Sequence, residues 1–427
     1  MDHARLIEKL SQQIPVFTEF VAALRDSGLT AWLVGGCVRD LLLGQHCADI
    51  DLVTVEDPSS WARSWARGRA RGRGHWFWLD QQRRQSRILL PEGVSFDIAP
   101  LRAATIEADL SARDFTVNAL AVPIDESDRL IDPLNGINDL KNFCLRVCSD
   151  RSFSADPLRL LKGARHVATS GFCVDDHSFH LMTVQAPLIN TVAAERVRDE
   201  FFLIMAAGDP LHSIQILSDA GVLAALFGCP EAEWLAASYR QQHRFLDDRI
   251  EDFFYRHQTP VLAALKEDKK LYLLSTLLRT YAPSRYVAHL HKLRLSRQQQ
   301  QILKALPCEI SFEWINRIDQ LTTARRLALA VEQLNPCGLQ RIFYWGWCLG
   351  RIPESPVAAL LEAYLELEKN GRIPDLLDGH LIAQLVDNHH QIGRGQQLIK
   401  QQEIEGRVSH AEDALHCLKA HLPFDKK

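Results

Sequence analysis

The sequence lacks several features that would each place it in a particular class of protein. No apolar run approaches the roughly 20 residues of a membrane-spanning helix, so we expect no membrane partner. The N-terminal segment MDHARLIEKL has neither the basic start nor the apolar core of a signal peptide. The ten cysteines form no Cys-x-x-Cys pair, which argues against the common zinc and redox motifs and favours reduced thiols in the cytoplasm.

Basic residues are not in excess either. The 427 residues include 49 Lys and Arg against 53 Asp and Glu, a formal net charge of −4, which argues against a uniformly basic nucleic-acid-binding surface. The densest basic segment, SWARSWARGRARGRGHW, is typical of a solvated loop, with a phosphate contact as the alternative. Nothing in the composition requires an obligate protein partner. What is left is an ordinary globular protein of several domains.

Strand-like and helix-like patterns divide the chain near residue 150. Before that point, helical periodicity alternates with short segments rich in β-forming residues: AWLV, IDLVTV, HWFWLD, SRILL and SFDIAPL. After it, amphipathic helical patterns with glycine stops continue to the end of the chain. The pattern therefore predicts an α+β protein whose sheet is N-terminal.

Two acidic residues interrupt an apolar strand in LVGGCVRDLLLGQHCADIDLVT, residues 33–54. Because side chains alternate along a strand, Asp49 and Asp51 share one face while Ile50 serves the core. Burying two neighbouring carboxylates is costly unless a cation lies between them, and Mg²⁺ suits oxygen ligands and nucleotide phosphates. Two ions about 4 Å apart could activate a hydroxyl and stabilise a leaving pyrophosphate. The alternative is an edge strand with two solvated acids.

A glycine turn beside these acids forms a candidate phosphate-binding site. Gly35 and Gly36 follow a strand and precede a helix-like segment, so backbone N–H groups can approach an anion at a helix start. Arg39 lies one helical turn further along and can add a fork-shaped contact to phosphate. The turn, the Arg-Asp pair and the Asp-x-Asp motif together predict a site for a nucleoside triphosphate.

These residues resemble the first motif of the class II tRNA nucleotidyltransferases and bacterial poly(A) polymerases, members of the DNA polymerase beta-like superfamily. DLSARDFTVNALAV resembles their second motif, and FSADPLRLLKGARHVA resembles the neck helix that reads the base of the incoming nucleotide. The resemblance implies a mixed-sheet nucleotidyltransferase head followed by all-helical regions. The expected domains are the catalytic head (residues 1–150), the neck (151–215), the body (216–330) and an RNA-binding tail (331–427).

The resemblance also implies roles for individual residues. Asp49 and Asp51 would hold magnesium, and Asp97, on a neighbouring strand, would assist the attacking 3′-hydroxyl. The other residues would bind the nucleotide: Gly35, Gly36, Arg39, Lys162 and Arg165 its phosphates, Arg113, Asp114 and Asn118 its ribose, and Asp156 and Arg159 its base. Plainer alternatives exist, namely a surface acid for Asp97, helix caps for Asp114 and Asp156, and solvated cations on the neck helix.

Departures from the family pattern bear on which nucleotide is added. Ala155 stands where the family usually has a Glu that would brace the neck Arg, and Ala112 stands where a second Arg is frequent. The stretch from Asp97 to Arg113 is also short, and relatives with a shortened loop there tend to add only the two cytidines. We therefore expect a restricted activity, either CC addition or A addition.

The implied function is template-independent addition of C, A or both, from CTP or ATP, to the 3′ end of tRNA, with release of pyrophosphate. Such an enzyme would work in the cytoplasm on tRNA. A poly(A) polymerase shares the same head, although the ending CLKAHLPFDKK is short for its longer basic tail. A phosphohydrolase fusion would show a His-Asp dipeptide, which does not occur, and a non-catalytic RNA-binding descendant would lack Asp49 or Asp51.

Overall fold

The computed structural model divides the chain into two compact units, Met1–Pro230 and Glu231–Lys427. Every predicted site residue lies in the first unit. The structure describes residues 5–68, 74–125, 129–207, 210–228, 268–281, 286–306, 329, 337–344, 375–384 and 389–421.

A six-stranded mixed sheet organises the first unit. Its strands are β1 (Ala31–Val34), β2 (Asp49–Thr54), β3 (His75–Asp80), β4 (Gln85–Leu89), β5 (Ser95–Pro100) and β6 (Ala121–Pro123). In space the order is β3-β4-β5-β2-β1-β6, and only β2 and β5 are parallel to each other. Each of the five segments predicted as strands is a strand in the structure. The parallel pair matters most, because it sets the two acidic strands side by side.

Helices surround this sheet and continue beyond it. The helix α2 (Pro15–Asp26) shows the sequence logic: proline at its first position fixes a helical φ, and Gly28, just past its end, has a φ of 73°. The other helices of the first unit are α1 (Leu6–Gln13), α3 (Gly36–Leu42), α4 (Ser59–Gly68), α5 (Ile106–Ser111), α6 (Gly136–Lys141), α7 (Ser152–Ala155), α8 (Arg159–Ser170), α9 (Asp176–Gln185), α10 (Ala194–Ala206), α11 (Pro210–Asp219) and α12 (Val222–Phe227), with 3₁₀ turns at Thr116–Asn118 and Ala186–Thr191.

The two faces of the sheet have opposite characters. On one face Ile50, Phe96 and Ile88 lie opposite one another on β2, β5 and β4, and all three are fully buried. Phe20 of α2 stacks on Phe96 with ring centroids 4.1 Å apart, and Trp65 of α4 meets the same ring edge-on. Burial of each such side chain contributes about 1.5–3 kcal/mol. This packing fixes the strands, so the alternate residues on the other face are held in place.

The arginine-rich segment was expected to be a loop, but its first part is a helix. Residues 59–68 form α4, with Ala62 and Ala66 buried on one side. The guanidinium of Arg63 lies over the ring of Trp76 at 5.2 Å from its centroid. The segment is therefore helical despite its many arginines, because its regularly spaced small and aromatic residues pack against the sheet. Residues 69–73, which complete the segment, lie outside the described residues.

The neck follows the head without a break. Leu158, Leu161 and Val167, predicted as the apolar side of the neck helix, are all buried, and α8 packs on α10 and α11. A short parallel ladder, β7 (Cys144–Leu145) with β8 (Cys173–Val174), adds two small strands in and next to the region expected to be all helical. The predicted boundary at residue 215 falls inside α11, and the division into neck, body and tail stays a prediction.

The regular elements described in the second unit are all helices. One of its helices starts with a capping box: Ser296 Oγ accepts from the Gln299 N–H at 3.2 Å, and the Gln299 side chain accepts from the Ser296 N–H at 3.0 Å. The α+β class, with an N-terminal mixed sheet and a helical remainder, is confirmed. No helix in the described ranges is long and apolar enough to cross a bilayer. The helices described are Lys269–Tyr281, Tyr286–Lys292, Arg297–Ala305, Gly338–Phe343, Gly379–Ala383, His389–Ile404 and Ala411–His421.

Candidate active site

Strand register brings the three predicted acids onto one face of the sheet, here called the acid face. Residues directly opposite each other on neighbouring strands point to the same side. Asp51 of β2 is opposite Asp97 of β5, which in turn is opposite Arg87 of β4. Asp49 lies in the next row, opposite Ser95. The acid face therefore carries Asp49, Asp51 and Asp97, as the alternation of β2 predicted.

The three acids differ in their hydrogen bonds. Asp97 accepts two from Arg87, at 2.6 Å from Nε and 2.9 Å from Nη2, in a bidentate pair. Ser95 Oγ donates to Asp49 Oδ1 at 2.5 Å. Asp51, by contrast, accepts no side-chain hydrogen bond from any residue that the structure describes; burial and neighbouring charges determine its pKa.

The environment of Asp51 disfavours its negative charge. Burial raises the pKa of this carboxyl to about 6, with a further contribution from Asp97; Arg113 acts in the opposite direction, and Asp49 raises the pKa again. A divalent cation would remove this penalty, and the carboxylate oxygens of Asp49 and Asp51 are the donors it prefers. Within the described ranges no three His, Cys, Asp or Glu side chains are already grouped to hold a metal ion. Asp97 is engaged by Arg87, so two ligands of this chain fit the cation.

The glycine turn lies directly against Asp51. Gly35 has a φ of 74°, which side chains rarely tolerate. A Cβ there would lie 3.1 Å from Arg113 Nη1 and 3.3 Å from Asp51 Oδ2. Glycine is therefore required at position 35 both by its conformation and by the closeness of these two groups. Gly36 starts α3, as predicted.

Arg39 takes a different position from the one expected for a phosphate ligand. Its guanidinium bonds to Asp40 at 2.7 Å from Nη2 and donates from Nη1 to Asn118 Oδ1 at 2.6 Å, and its side chain is only 11% exposed. Asn118 Nδ2 then donates to Asp114 Oδ1 at 3.0 Å and lies 3.4 Å from His166 Nε2. Arg39 thus connects α3 to the second motif, the segment from Asp109 to Val122.

Burial and neighbouring groups together set the protonation states of His166 and Asp114. Burial lowers the pKa of His166 to about 3, assisted by Arg39 and Arg165, so the ring is neutral at physiological pH. Burial alone would raise the pKa of Asp114, but His166, the Asn118 amide and Lys162 outweigh it and bring that pKa below its ordinary value. We attribute this lowering mainly to Asn118 and Lys162, because a neutral His166 supplies little charge. Asp114 is therefore an ionised acceptor.

A cavity of about 310 Å³ separates the acid face from the neck. Its volume is at the lower end of the range typical of small-molecule sites. Asp49, Gly35, Gly36, Arg39, Asn118 and Arg165 are not among its lining residues. Seven predicted residues line it: Asp51, Asp97, Arg113, Asp114, Asp156, Arg159 and Lys162.

Asp156 does not cap the neck helix from the position expected. It ends α7 with extended backbone (φ −147°, ψ 96°), and α8 begins only at Arg159. Its carboxylate accepts from the Leu158 N–H at 3.3 Å and from Arg196 Nη2 of α10 at 3.2 and 3.4 Å. Arg196, which the sequence motifs did not mark, fixes Asp156 at the cavity wall.

Arg159 is braced by backbone carbonyls. Its Nη1 donates to the carbonyl oxygens of Arg113 at 3.1 Å and Ser152 at 3.2 Å, and its Nη2 donates to that of Ala112 at 3.1 Å. These carbonyls provide the bracing that the resemblance assigns to a Glu at the position of Ala155. Backbone acceptors carry no side-chain signal, so the sequence could not have revealed them.

The other two predicted cations of the neck helix, Lys162 and Arg165, point to different places. Lys162 lines the cavity on the same wall as Arg159. Arg165 instead donates from Nε to the buried Glu200 of α10 at 2.5 Å. The structure therefore does not bring Arg165 to the other predicted nucleotide-binding residues, although the three-residue spacing on α8 had grouped it with them.

Two further residues shape the cavity and were missed in the sequence. Asp109 is buried and accepts from Arg113 Nη2 at 3.1 Å and from the Arg102 backbone N–H at 2.9 Å. The i, i+4 spacing of Asp109 and Arg113 could have predicted their pairing. Arg102 also lines the cavity, where Gln85 Oε1 accepts from its Nη2 at 3.5 Å.

Comparison with known families supports the resemblance predicted from the motifs. Residues 31–146 match the model of the Poly A polymerase head domain. Residues 171–235 match the model described as the probable RNA and SrmB-binding site of polymerase A. The first match covers the whole acid face and the second motif, and the resemblance is thereby confirmed.

Curated relatives fall in the same group. The CC-adding tRNA nucleotidyltransferase of Geobacter sulfurreducens is 42% identical over 232 residues, which are 54% of this chain and 52% of that protein. The A-adding tRNA nucleotidyltransferase of Deinococcus radiodurans is 39% identical over 198 residues, 45% of this chain and 44% of that protein. The chain thus aligns with about half the length of these relatives.

A solved structure shares the fold. A CCA-adding enzyme in complex with ATP superimposes with a TM-score of 0.76 at 22% sequence identity. The match covers 99% of this chain and 100% of that one. The likeness confirms the architecture of a mixed-sheet head followed by helices.

Proposed function

We propose that this chain is a template-independent nucleotidyltransferase that adds C, A or both, from CTP and ATP, to the 3′ end of tRNA and releases pyrophosphate. The observation that carries the proposal is the opposition of Asp51 and Asp97 across β2 and β5. They lie on the floor of a cavity whose other wall carries Asp156 and Arg159 of the neck. The proposed transfer site and the proposed base-reading wall thus share one cavity of about 310 Å³.

The acid face would perform the transfer. Asp49 and Asp51 would hold Mg²⁺, which when bound neutralises phosphate charge and assists the hydroxyl and the leaving pyrophosphate. Asp97 lies beside them and would orient the 3′-hydroxyl of the RNA. Gly35 keeps the turn above Asp51 free of side chains, so that phosphates can approach. Positioning and charge neutralisation then supply the catalysis without a covalent intermediate.

The opposite wall would bind and select the nucleotide. Arg113 and Asp114, which line the cavity, would contact the ribose, and Lys162 the phosphates. Asn118 would act through its hydrogen bond to Asp114. Arg159 uses three of its five N–H donors on carbonyls, which leaves two for the edge of a base. Asp156 adds an acceptor beside it. A donor pair with an acceptor suits the amino group and ring acceptors that cytosine and adenine share.

A partial activity, CC addition, is the form we place first. The residues between Asp97 and Arg113 are described throughout and contain the end of β5, a short turn and α5, without an extended loop. The relative that is 42% identical over 232 residues is CC-adding, and the one that is 39% identical over 198 residues is A-adding. Poly(A) polymerase is the second candidate, because the matched head family carries that name.

The proposal includes the setting in which the enzyme works. Its partners would be tRNA and CTP or ATP, in the cytoplasm. The residues that match an RNA-binding region, 171–235, would contact the RNA together with the tail at 331–427. Contacts there would be made with phosphates and RNA shape rather than with base sequence.

One assay tests the proposal. The protein is incubated with tRNA transcripts that end before the CCA tail, after its first C and after its second C, with CTP and ATP supplied separately. A CC-adding enzyme extends the first two transcripts with CTP and leaves the third unchanged with ATP. One A on the third transcript alone indicates A addition, and long A tracts on all three indicate poly(A) polymerase. No extension under any condition would refute the proposed activity.

A further inference from the structure

The two rows of the acid face continue to the edge of the sheet. The first row runs from Asp51 through Asp97 and Arg87 to Phe77 of the edge strand β3. Opposite residues of adjacent strands point to the same side, so Phe77 projects from the acid face. The register therefore connects the transfer acids to an aromatic ring at the rim.

The second row ends in the same way. It runs from Asp49 through Ser95 and Leu89 to His75. Phe77 and Leu89 are diagonal neighbours on this rim. His75, Phe77 and Leu89 are here called the platform.

The platform is exposed although it contains large apolar side chains. Phe77 is 42% exposed and Leu89 is 41% exposed, while Trp76, between His75 and Phe77, turns to the other face and meets Trp78 edge-on with centroids 4.9 Å apart. The hairpin thus has an internal aromatic contact of its own on the other side. Folding of β3 and β4 does not account for a second set of large apolar groups facing solvent on the acid face.

The distance from the acids matches a short length of RNA. Strands lie about 4.8 Å apart, so Phe77, two strands from Asp97, is about 10 Å from it along the row. A stacked nucleic-acid strand advances about 3.4 Å per nucleotide. When the terminal 3′-hydroxyl is at Asp97, the platform lies two or three nucleotides upstream.

The charges around the platform favour an anionic strand. Arg87 lies between Phe77 and Asp97, with its side chain one-third exposed while it holds Asp97. The turn that joins β3 to β4, at the end of the hairpin away from the His75–Leu89 pair, carries Arg83 and Arg84; these are 67% and 63% exposed and pair with Asp80 and Asp57. Aromatic rings beside arginines are the combination that binds unpaired nucleic acid, because bases stack on the rings and phosphates meet the cations.

We propose that His75, Phe77 and Leu89 form a stacking platform for the unpaired nucleotides just upstream of the RNA 3′ end. The inference rests on the proposed function, since it places the RNA terminus at Asp97. It commits to single-stranded RNA rather than to a protein partner, because the platform is continuous with the transfer acids and Arg87 lies between Phe77 and Asp97. Phe77 is then a determinant of RNA affinity and not of nucleotide affinity.

The test compares RNA binding and nucleotide addition in Phe77→Ala and Phe77→Trp. Equilibrium binding uses a fluorescent tRNA transcript ending in its first C, and a second transcript with abasic residues two and three positions from the end. Phe77→Ala should weaken binding of the intact transcript about tenfold, as expected for one lost stacking contact. The abasic transcript should bind the wild type and Phe77→Ala equally, because the base that stacks is already missing.

Controls separate the platform from folding and from the proposed function. Phe77→Trp should retain wild-type affinity, KM for CTP or ATP should change less than twofold, and Val287→Ser, a change at an exposed valine of the helix Tyr286–Lys292, should have no effect. Wild-type RNA affinity in Phe77→Ala, or an equal loss with both transcripts, overturns the platform. If nucleotide addition is normal and RNA binding does not change in Phe77→Ala, only the platform is refuted. Phe77-dependent binding without any nucleotide addition refutes only the proposed function.

Discussion

The acids of the sheet and the acids of the opposite wall receive different support from the protein. Asp156 accepts two contacts from Arg196, and Asp109 accepts one from Arg113. Asp51 accepts no hydrogen bond from the described residues, and its pKa is raised to about 6 by burial and by Asp97. This difference indicates that a bound cation would act at Asp51 rather than at the wall. The carboxylates of the wall are held by arginines of the protein, whereas Asp51 has no hydrogen-bonded partner among the described residues and would be neutralised by a bound cation.

The same comparison explains which residue should matter most for turnover. A buried carboxylate without a hydrogen-bonded partner lowers stability, so under the proposed function we expect Asp51 to be retained for the reaction. A carboxylate braced by arginine holds its shape with or without ligand. We therefore expect changes on the sheet to abolish chemistry and changes on the wall to alter selection.

The largest effect is expected from Asp51→Ala. Turnover should fall on the order of 10³-fold or more, because phosphate charge in the transition state loses its main stabilisation. Affinity for tRNA should be nearly unchanged. Single-turnover incorporation and RNA binding measure the two quantities, with Asp80→Ala on the edge strand as the matched control. Turnover within tenfold of the wild type would contradict the difference between the two regions.

Arg87→Ala tests the same difference between sheet and wall, because it removes the partner of a second acid of the sheet, Asp97. Asp97 loses both of its charge-assisted hydrogen bonds and is free to turn away from the row. Turnover should fall about 10- to 100-fold, as for other residues that orient reacting groups. Arg83→Ala, in the turn of the same hairpin, is the matched control. Equal losses in the two variants would mean that positive charge on the hairpin, not the hold on Asp97, is what matters.

The unpaired charge should also appear in stability against pH. The folded-state pKa of Asp51, about 6, lies above its ordinary value of 3.8, so the folded state binds the proton more tightly. Its favourable contribution is complete below pH 3.8 and is lost as the pH rises through 6. Without divalent ions, Asp51→Asn should raise the free energy of unfolding by about 3 kcal/mol at pH 7.5, with little difference at pH 3.5. Denaturant titrations at both pH values measure this, and no gain at pH 7.5 would contradict an unpaired Asp51.

The smallest effect is expected on the wall, from Arg196→Ala. Asp156 keeps its bond from the Leu158 N–H but loses the ion pair, whose Arg is half exposed. Such a pair contributes about 1 kcal/mol at most, so discrimination between CTP and other nucleotides should change no more than about fivefold, with turnover retained. Competition between nucleotides measures this, and Arg198→Ala on the same helix is the control. A loss of turnover as large as that of Asp51→Ala would remove the distinction between the regions.

Much of the acid face could be predicted from the sequence because strand alternation is a short-range rule. It placed Asp49 and Asp51 on one side of β2, and the family motif located Asp97 on a neighbouring strand. The register that sets Asp97 opposite both Asp51 and Arg87 depends on how β2, β4 and β5 pair, which alternation within one strand does not determine.

The wall was harder to predict because tertiary partners decide its geometry. Helical spacing grouped Arg165 with Arg159 and Lys162, but the buried Glu200 of α10 draws it away. Arg159 is held by carbonyl oxygens that any sequence would supply. The Asp-Pro pair predicted a helix start at Pro157, but residues 157 and 158 form a turn whose Leu158 N–H bonds to the Asp156 carboxylate, and α8 begins at Arg159.

Direct measurement of cation binding decides whether Asp49 and Asp51 form a cation site or are simply solvated acids. Mn²⁺, which takes the same oxygen ligands as Mg²⁺, is titrated into the protein with CTP present, and bound ion is counted by its loss of free-ion signal. We predict saturable binding to the wild type and to Asp80→Asn, and at least tenfold weaker binding to Asp49→Asn and Asp51→Asn. Equal binding to all four proteins would contradict a cation site on these strands.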